Sequence, residues 1–148
     1  MKLTIIFVAL ISTTYGVNHM CWSVDRIAQE VMAQTDKNKD GIITYNEFSD
    51  ELMVNWNLSN TSCLSYSDFV GNWMSKFHDH HDTAHKFFNN LDLSGDEQLC
   101  LLDVAVQLVT YDTNPVDGQI QPAEFNAFMH AMHPDSHQNL GHGHGHGC

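Results

Sequence analysis

The chain of 148 residues carries 6 Lys and Arg against 18 Asp and Glu, which gives a formal net charge of −12 at pH 7. Its length suits one compact domain. The acidic balance repels nucleic acid and anionic membranes and favours cations, basic partners and mineral surfaces. We therefore expect neither a nucleic-acid partner nor a membrane partner.

Residues 1–16 have the features of a signal peptide. A basic residue, Lys2, precedes an apolar run over residues 3–11, and the small residues Thr14 and Gly16 stand before Val17, where a signal peptidase would cut. The run is too short to cross a bilayer, which needs about 20 apolar residues. The sequence predicts a secreted, extracellular protein with its folded domain in residues 17–134.

Cysteines and glycosylation sequons agree with export. An even number of cysteines in a secreted chain predicts two disulfides, and three connectivities remain open. Sequons begin at Asn57 and Asn60, which predicts a glycoprotein and marks that stretch as surface. The four cysteines are Cys21, Cys63, Cys100 and Cys148.

Residues 36–47, DKNKDGIITYNE, have the spacing of oxygen ligands that is typical of a calcium-binding loop. Oxygen ligands recur at the first, third and fifth positions, a backbone carbonyl follows at the seventh and a glutamate at the twelfth. A hard cation such as Ca²⁺ takes about six to eight oxygens, and a short loop can wrap them round one point only with a sharp turn, here at Gly41. The predicted ligands are Asp36, Asn38, Asp40, the Ile42 carbonyl and Glu47.

This first loop resembles the EF-hand superfamily at every position of the pattern. The resemblance implies a helix on each side of the loop and a calcium ion within it. Ile43, at the eighth position, is expected to pair through its backbone with a neighbouring loop. Apolar residues at intervals of three and four fit the two helices: Val24, Ile27, Ala28 and Val31 before the loop, and Tyr45, Phe48, Leu52 and Trp56 after it.

The second loop, residues 57–68, looks like a degenerate copy. It keeps an apolar eighth residue (Leu64), an acidic twelfth (Asp68) and an aromatic thirteenth (Phe69). Serines, asparagines and a threonine replace the other carboxylates, so we expect no calcium there. The exit helix carries a stripe typical of a core, with Tyr66, Phe69, Val70, Trp73 and Phe77.

A shift of 56 residues repeats the plan and places Asp36 on Asp92. The third loop, residues 92–103, offers oxygen ligands but departs from the pattern twice. Glu97 stands where glycine is expected, at a cost of about 1 kcal/mol, and Asp103 is one methylene shorter than glutamate, which favours weak Ca²⁺ binding or Mg²⁺. Its predicted ligands are Asp92, Ser94, Asp96, the Gln98 carbonyl and Asp103.

The fourth loop, residues 112–124, fits the pattern once a single extra residue, Pro115 or Val116, is allowed. The insertion moves the early ligands relative to the late ones, so calcium binding here stays open. A plain turn at the second and fourth segments is the alternative. The predicted ligands are Asp112, Asn114, Asp117, the Gln119 carbonyl and Glu124.

These segments predict an all-α, EF-hand-like fold with about six short helices in two helix-loop-helix-loop-helix repeats. Only short connections separate the first loop from the second and the third from the fourth, so each has room for one helix. That helix must leave one loop and enter the next, which places the two loops at its opposite ends. Loops from different halves would then have to pair.

Histidines suggest two further metal interpretations. The tail, residues 135–148, is rich in Gly and His and is expected to be disordered, with His142, His144 and His146 able to chelate Zn²⁺ or Cu²⁺, unless it is a mere linker to Cys148. His78, His81 and His85 are expected on one helical face. The last two have the spacing of zinc-protease ligands, but Asp82 replaces the catalytic glutamate and no third ligand is evident, so we expect no enzyme.

The leading interpretation is a secreted calcium-binding protein. It is similar to secreted EF-hand proteins of invertebrate shell and mineral matrix, which implies a mineral surface or an extracellular matrix protein as partner. The alternative is a calcium-dependent protein-interaction module, a sensor that opens an apolar surface. That surface would be lined by methionines: Met20, Met32, Met53, Met74, Met129 and Met132.

Overall fold

The computed structural model describes residues 21–56 and 62–134. The predicted leader (1–16), the sequons at Asn57 and Asn60, the start of the second loop and the His-rich tail (135–148) lie outside the described residues. Along the described ranges no helix is both long and apolar enough to cross a membrane.

Helices dominate the described chain, which confirms the predicted all-α class in its coarse form. Serine or threonine side chains cap several helix starts; Ser23, Thr44 and Ser65 each accept a backbone N–H three residues on. The helices are α1 (Val24–Thr35), α2 (Tyr45–Ser49), a π-helical segment (Asp50–Asn55), α3 (Tyr66–Phe77), α4 (His81–Leu91), α5 (Leu101–Val109) and α6 (Pro122–Met132).

Four short strands lie between the helices and form two small antiparallel sheets, which the prediction lacked. β1 pairs with β4, so that Ile43 faces Ile120, and β2 pairs with β3, so that Leu64 faces Leu99. The predicted pairing of loops from different halves is therefore confirmed. The strands are β1 (Ile43–Thr44), β2 (Cys63–Ser65), β3 (Gln98–Cys100) and β4 (Gln119–Ile120).

The apolar stripes predicted from sequence meet in one aromatic core. The rings of Phe69 and Trp73 stack at 5.5 Å, and Trp56 packs against both. Burial of such side chains contributes about 1.5–3 kcal/mol each, so this core dominates the stability of the fold. The fully buried large residues are Trp56, Phe69, Phe77, Phe88, Phe125, Phe128, Ile27, Ile43, Leu64, Leu99, Leu108 and Ile120.

A buried polar cluster ties the end of α6 to the connection between α3 and α4. The carboxylate of Asp79 is fully buried and accepts hydrogen bonds from Trp73 Nε1 (2.9 Å), Thr83 Oγ1 (2.6 Å) and His133 Nε2 (2.8 Å). Burial raises the pKa of Asp79, but the bonds from His133, Thr83 and Trp73 outweigh it and hold this pKa below its usual range. The two halves are thereby joined by a satisfied buried charge.

A disulfide joins Cys63 to Cys100, which face each other across β2 and β3. Cys21 is also disulfide-bonded. The covalent bond fixes the register of the sheet that joins the second and third loops.

Candidate metal-binding loops

The first loop is held by the carboxylate at its first position. Asp36 Oδ1 accepts the N–H of Lys39 at 2.7 Å, and Oδ2 accepts that of Gly41 at 2.8 Å. Gly41 turns the chain at a φ of 84°, in the left-handed region that favours glycine. The predicted turn is thus present at Gly41, and the loop curls round the Asp36 side chain.

Glu47 closes the loop from its other end. Its Oε1 accepts the N–H groups of Lys37 (3.1 Å) and Asn38 (3.3 Å), and its Oε2 accepts that of Thr44 (3.0 Å). The bond from the Thr44 N–H is the main reason that the pKa of Glu47 lies below its usual range. One carboxylate therefore reaches both the start of α2 and the second and third positions of the loop, so the end of the loop lies beside its beginning.

The fourth loop repeats this arrangement despite its extra residue. Asp112 accepts the N–H groups of Asp117 (3.2 Å) and Gly118 (2.7 Å), and Gly118 has a φ of 77°. The β1–β4 register places Ile120 opposite Ile43, so the additional residue is absorbed before Asp117. This geometry favours a closed loop over the plain turn for the fourth segment.

The last residue of the fourth loop matches Glu47. Glu124 Oε1 accepts the N–H groups of Thr113 (2.8 Å) and Asn114 (2.9 Å), and its Oε2 accepts that of Gln121 (3.0 Å). The bonds from Gln121, Thr113 and Asn114 lower the pKa of Glu124, in that order. The same closure thus occurs on both sides of the β1–β4 pair.

The third loop closes differently. Asp92 accepts the N–H groups of Gly95 (2.8 Å) and Glu97 (2.9 Å); burial raises its pKa, but these bonds outweigh that effect and the pKa is lowered. Glu97 takes the turn at a φ of 61°, as its place in the pattern predicted. Asp103 accepts the N–H of Cys100 at 3.0 Å. All residues of this loop are described, and none of the N–H groups near Asp92 donates to the Asp103 carboxylate.

The other predicted ligands lie on the same loops. Asp40 accepts the Ile42 N–H at 2.9 Å, Asp96 that of Gln98 at 3.0 Å, and Asp117 that of Gln119 at 2.9 Å. These three corresponding contacts confirm that the loops share a local geometry at the fifth and seventh positions. Asn38 and Ser94, at the third positions, hydrogen-bond to Asp40 and Asp92 respectively.

The loop carboxylates are engaged with backbone N–H groups in this conformation. In the part of the chain that the structure describes, no group of three or more His, Cys, Asp or Glu side chains stands close enough to hold a metal ion. Oxygen ligands fit Ca²⁺ chemically, and binding requires them to turn from the N–H groups towards a shared centre. In the first and fourth loops the last residue already lies beside the beginning of its loop, where Glu47 and Glu124 accept backbone N–H groups.

Tyr45 is a residue that sequence reasoning did not assign to a site. It follows β1, and its hydroxyl donates to Asp112 Oδ2 across the paired loops at 3.4 Å, while its ring lies 3.7 Å from the place a Cβ would take at Gly118. Burial raises the pKa of Tyr45, and the negative charge of Asp112 raises it further. The pairing of the first loop with the fourth was the signal that could have placed Tyr45 beside Asp112.

The histidines predicted on one face lie on two elements. α3 ends at Phe77, and His78 follows it with a φ of 46°, so His78 does not continue the face of α4. The expectation of three histidines on one helical face is wrong because this left-handed residue breaks the helix. His81 and His85 remain one turn apart on α4.

Comparison with known proteins gives no match to a family model, to a curated protein or to a solved structure.

Proposed function

We propose that this is a secreted calcium-binding protein of the EF-hand type, with its principal sites in the first and fourth loops. The observation that carries the proposal is the shared closure by Glu47 and Glu124, each of which accepts two N–H groups from the start of its own loop. A glutamate in that position supplies two oxygens to a Ca²⁺ ion bound by such a loop.

The third loop takes Ca²⁺ weakly or takes Mg²⁺ in this proposal, because the shorter Asp103 does not reach the loop start. Calcium outside cells is near millimolar, so sites with dissociation constants of about 10⁻⁴–10⁻³ M are occupied there. The acidic surface suits a mineral surface or an extracellular matrix as the setting, with glycosylation at Asn57 and Asn60 and transition-metal binding by the tail as accompanying features.

Calorimetric calcium titration of the chain without its leader tests this function. We expect one to three sites in the parent protein, and in Glu47→Gln a loss of the strongest site by at least roughly tenfold, because the substitution removes a charged oxygen ligand. Asp50→Asn is the matched control, since Asp50 is exposed and lies just outside the loop. An isotherm that is the same for the parent and Glu47→Gln would remove the assignment of the first loop.

A calcium-dependent interaction module is the second candidate, and one surface favours it. On α5, Leu102 is 73% exposed, Val106 46% and Val109 47%, so an apolar stripe faces solvent. A hydrophobic dye separates the two functions. A sensor gains dye fluorescence on addition of calcium, whereas a binder becomes more ordered without that gain.

A further inference from the structure

Two histidines on α4 stand outside every calcium loop and have matched orientations. His81 and His85 are one helical turn apart, their rings are parallel to within 1° and the ring centroids are 6.5 Å apart. Both side chains are accessible, since both residues are exposed. Side chains at this spacing lie on the same helical face and can bind one ligand together.

The hydrogen bonds of His85 define its tautomer. The Asn89 side-chain nitrogen can only donate, and it lies 3.2 Å from His85 Nε2, so Nε2 carries the lone pair. Nδ1 then carries the proton and donates to the Tyr66 hydroxyl at 2.9 Å. Tyr66 also packs edge-on against the ring of His85, which fixes its plane.

The same tautomer follows for His81. Its Nδ1 lies 3.4 Å from Asp82 Oδ1, and an ionised carboxylate only accepts hydrogen bonds, so Nδ1 carries the proton in the neutral ring. The Nε2 atom of His81 is left with its lone pair. Nε2 is therefore the unprotonated nitrogen of both rings, with that of His85 accepting a hydrogen bond from Asn89, and each ring has an oxygen behind its Nδ1.

We propose that His81 and His85 form a two-histidine site for a first-row transition metal, with Zn²⁺ as the reference ion. Imidazole nitrogen suits zinc, copper and nickel, and metal-bound histidines characteristically donate their second N–H to an oxygen, the role that Asp82 and Tyr66 fill here. Water completes the coordination. The site has no general base and serves binding, and it does not depend on the proposed calcium function.

One ion can be shared by the two rings once both side chains rotate. With a Zn–N distance of about 2.1 Å, two imidazoles bound tetrahedrally through Nε2 have centroids about 5.3 Å apart. The parallel, exposed rings at 6.5 Å must approach by roughly 1 Å and turn their Nε2 atoms towards a common point, which side-chain rotation allows. Zinc also displaces the Asn89 amide from Nε2. The position near the start of α4 opposes a cation through the helix dipole, and Asp82 offsets that charge.

Calorimetric Zn²⁺ titration of the full chain without its leader, with Ca²⁺ present in the buffer throughout, tests the site. The tail histidines are first replaced by alanine (His137, His142, His144 and His146), so that the tail contributes no imidazole. We expect one zinc ion per chain in this background and its loss, by at least about tenfold in affinity, in His81→Ala and in His85→Ala. His130→Ala is the matched control, because His130 is a half-exposed histidine that contacts Asp25 on another helix.

Tyr66→Phe distinguishes a built site from isolated surface histidines. The phenyl ring keeps its packing on Phe88 but loses the oxygen that orients His85, so zinc affinity should fall about tenfold. Asn89→Ala should raise affinity, because no amide then competes for Nε2. Unchanged zinc binding in both His81→Ala and His85→Ala would overturn the site, and an effect of those substitutions without any effect of Tyr66→Phe would overturn the role of Tyr66.

Discussion

The two loop pairs of this protein are closed by different means. In the first and fourth loops, Glu47 and Glu124 reach back to the loop starts, and Tyr45 bridges the pair to Asp112. In the second and third loops, a disulfide between Cys63 and Cys100 joins the strands, and the shorter Asp103 contacts the Cys100 N–H. Besides the strand pairing, a hydrogen bond from Tyr45 to Asp112 links the first and fourth loops, whereas a covalent bond links the second and third.

This difference suggests that the two loop pairs have separate roles, one in binding a cation and the other in stabilising the fold. In the proposed function, the carboxylates of the first and fourth loops exchange their backbone N–H and hydroxyl donors for a cation, so that these loops respond to calcium. A disulfide constrains the unfolded chain whether or not a cation is bound. We infer that the second and third loops serve mainly to hold the two halves together, and that the first and fourth carry most of the cation dependence.

Removal of the disulfide should produce the largest change in stability. Cys63 and Cys100 are 37 residues apart, and loops of that order contribute about 2–4 kcal/mol. The double substitution Cys63→Ser/Cys100→Ser should lower the free energy of unfolding by this amount, measured by urea denaturation with a calcium chelator present. The calcium affinity of the first loop, measured at a temperature where the variant remains folded, should stay within about twofold of the parent.

A large loss of first-loop calcium affinity in the double variant would contradict the separate roles of the two loop pairs. The parent protein under oxidising and reducing conditions provides a second comparison, with Cys21 also affected in the reduced sample. The double variant, which leaves Cys21 in place, therefore isolates the bond between β2 and β3.

The reach of the twelfth residue can be changed by one methylene in either direction. Asp103→Glu lengthens the side chain of the third loop towards Asp92, and we expect its calcium affinity to rise by about tenfold, or roughly 1.4 kcal/mol. The reciprocal Glu124→Asp shortens the fourth loop's carboxylate and should lose the bonds to Thr113 and Asn114, with a fall of similar size. Site-resolved NMR titration measures both, and no gain in Asp103→Glu would show that length does not limit the third loop.

The pairing of the loops and the turn at Glu97 could both be predicted from the sequence. The short connections between loops required one helix to serve two loops, and the observed pairing of Ile43 with Ile120 and Leu64 with Leu99 follows. The turn at Glu97 was likewise visible as a departure from the glycine pattern.

The disulfide pairing, the contact between Tyr45 and Asp112 and the end of α3 before His78 could be seen only in the folded structure. Cysteine spacing left three connectivities open, because proximity of Cys63 to Cys100 arises only when β2 pairs with β3. The contact of Tyr45 with Asp112 spans 67 residues and depends on the other pairing. Helical periodicity also extended the face of α4 to His78, since a residue at positive φ is not recognisable from its type alone.

The smallest predicted effect concerns how each loop makes its turn. Gly41 and Glu97 occupy the sixth positions of the first and third loops, with φ values of 84° and 61°, and no atom lies within 4 Å of the place a Cβ would take at Gly41. Gly41→Ala therefore introduces backbone strain without a clash and should lower the free energy of unfolding by about 1 kcal/mol.

Glu97→Gly is the opposite change. The backbone N–H of Glu97 still donates to Asp92, and its carbonyl still accepts the N–H of Tyr66 at 3.2 Å, so only the strain is removed. Glycine gains freedom in the unfolded chain, which offsets part of the benefit, and we expect a net stabilisation of about 0.5 kcal/mol. Chelator-treated samples in urea denaturation measure both variants. If Glu97→Gly destabilised the protein as much as Gly41→Ala does, strain at the sixth position would not distinguish the two loops.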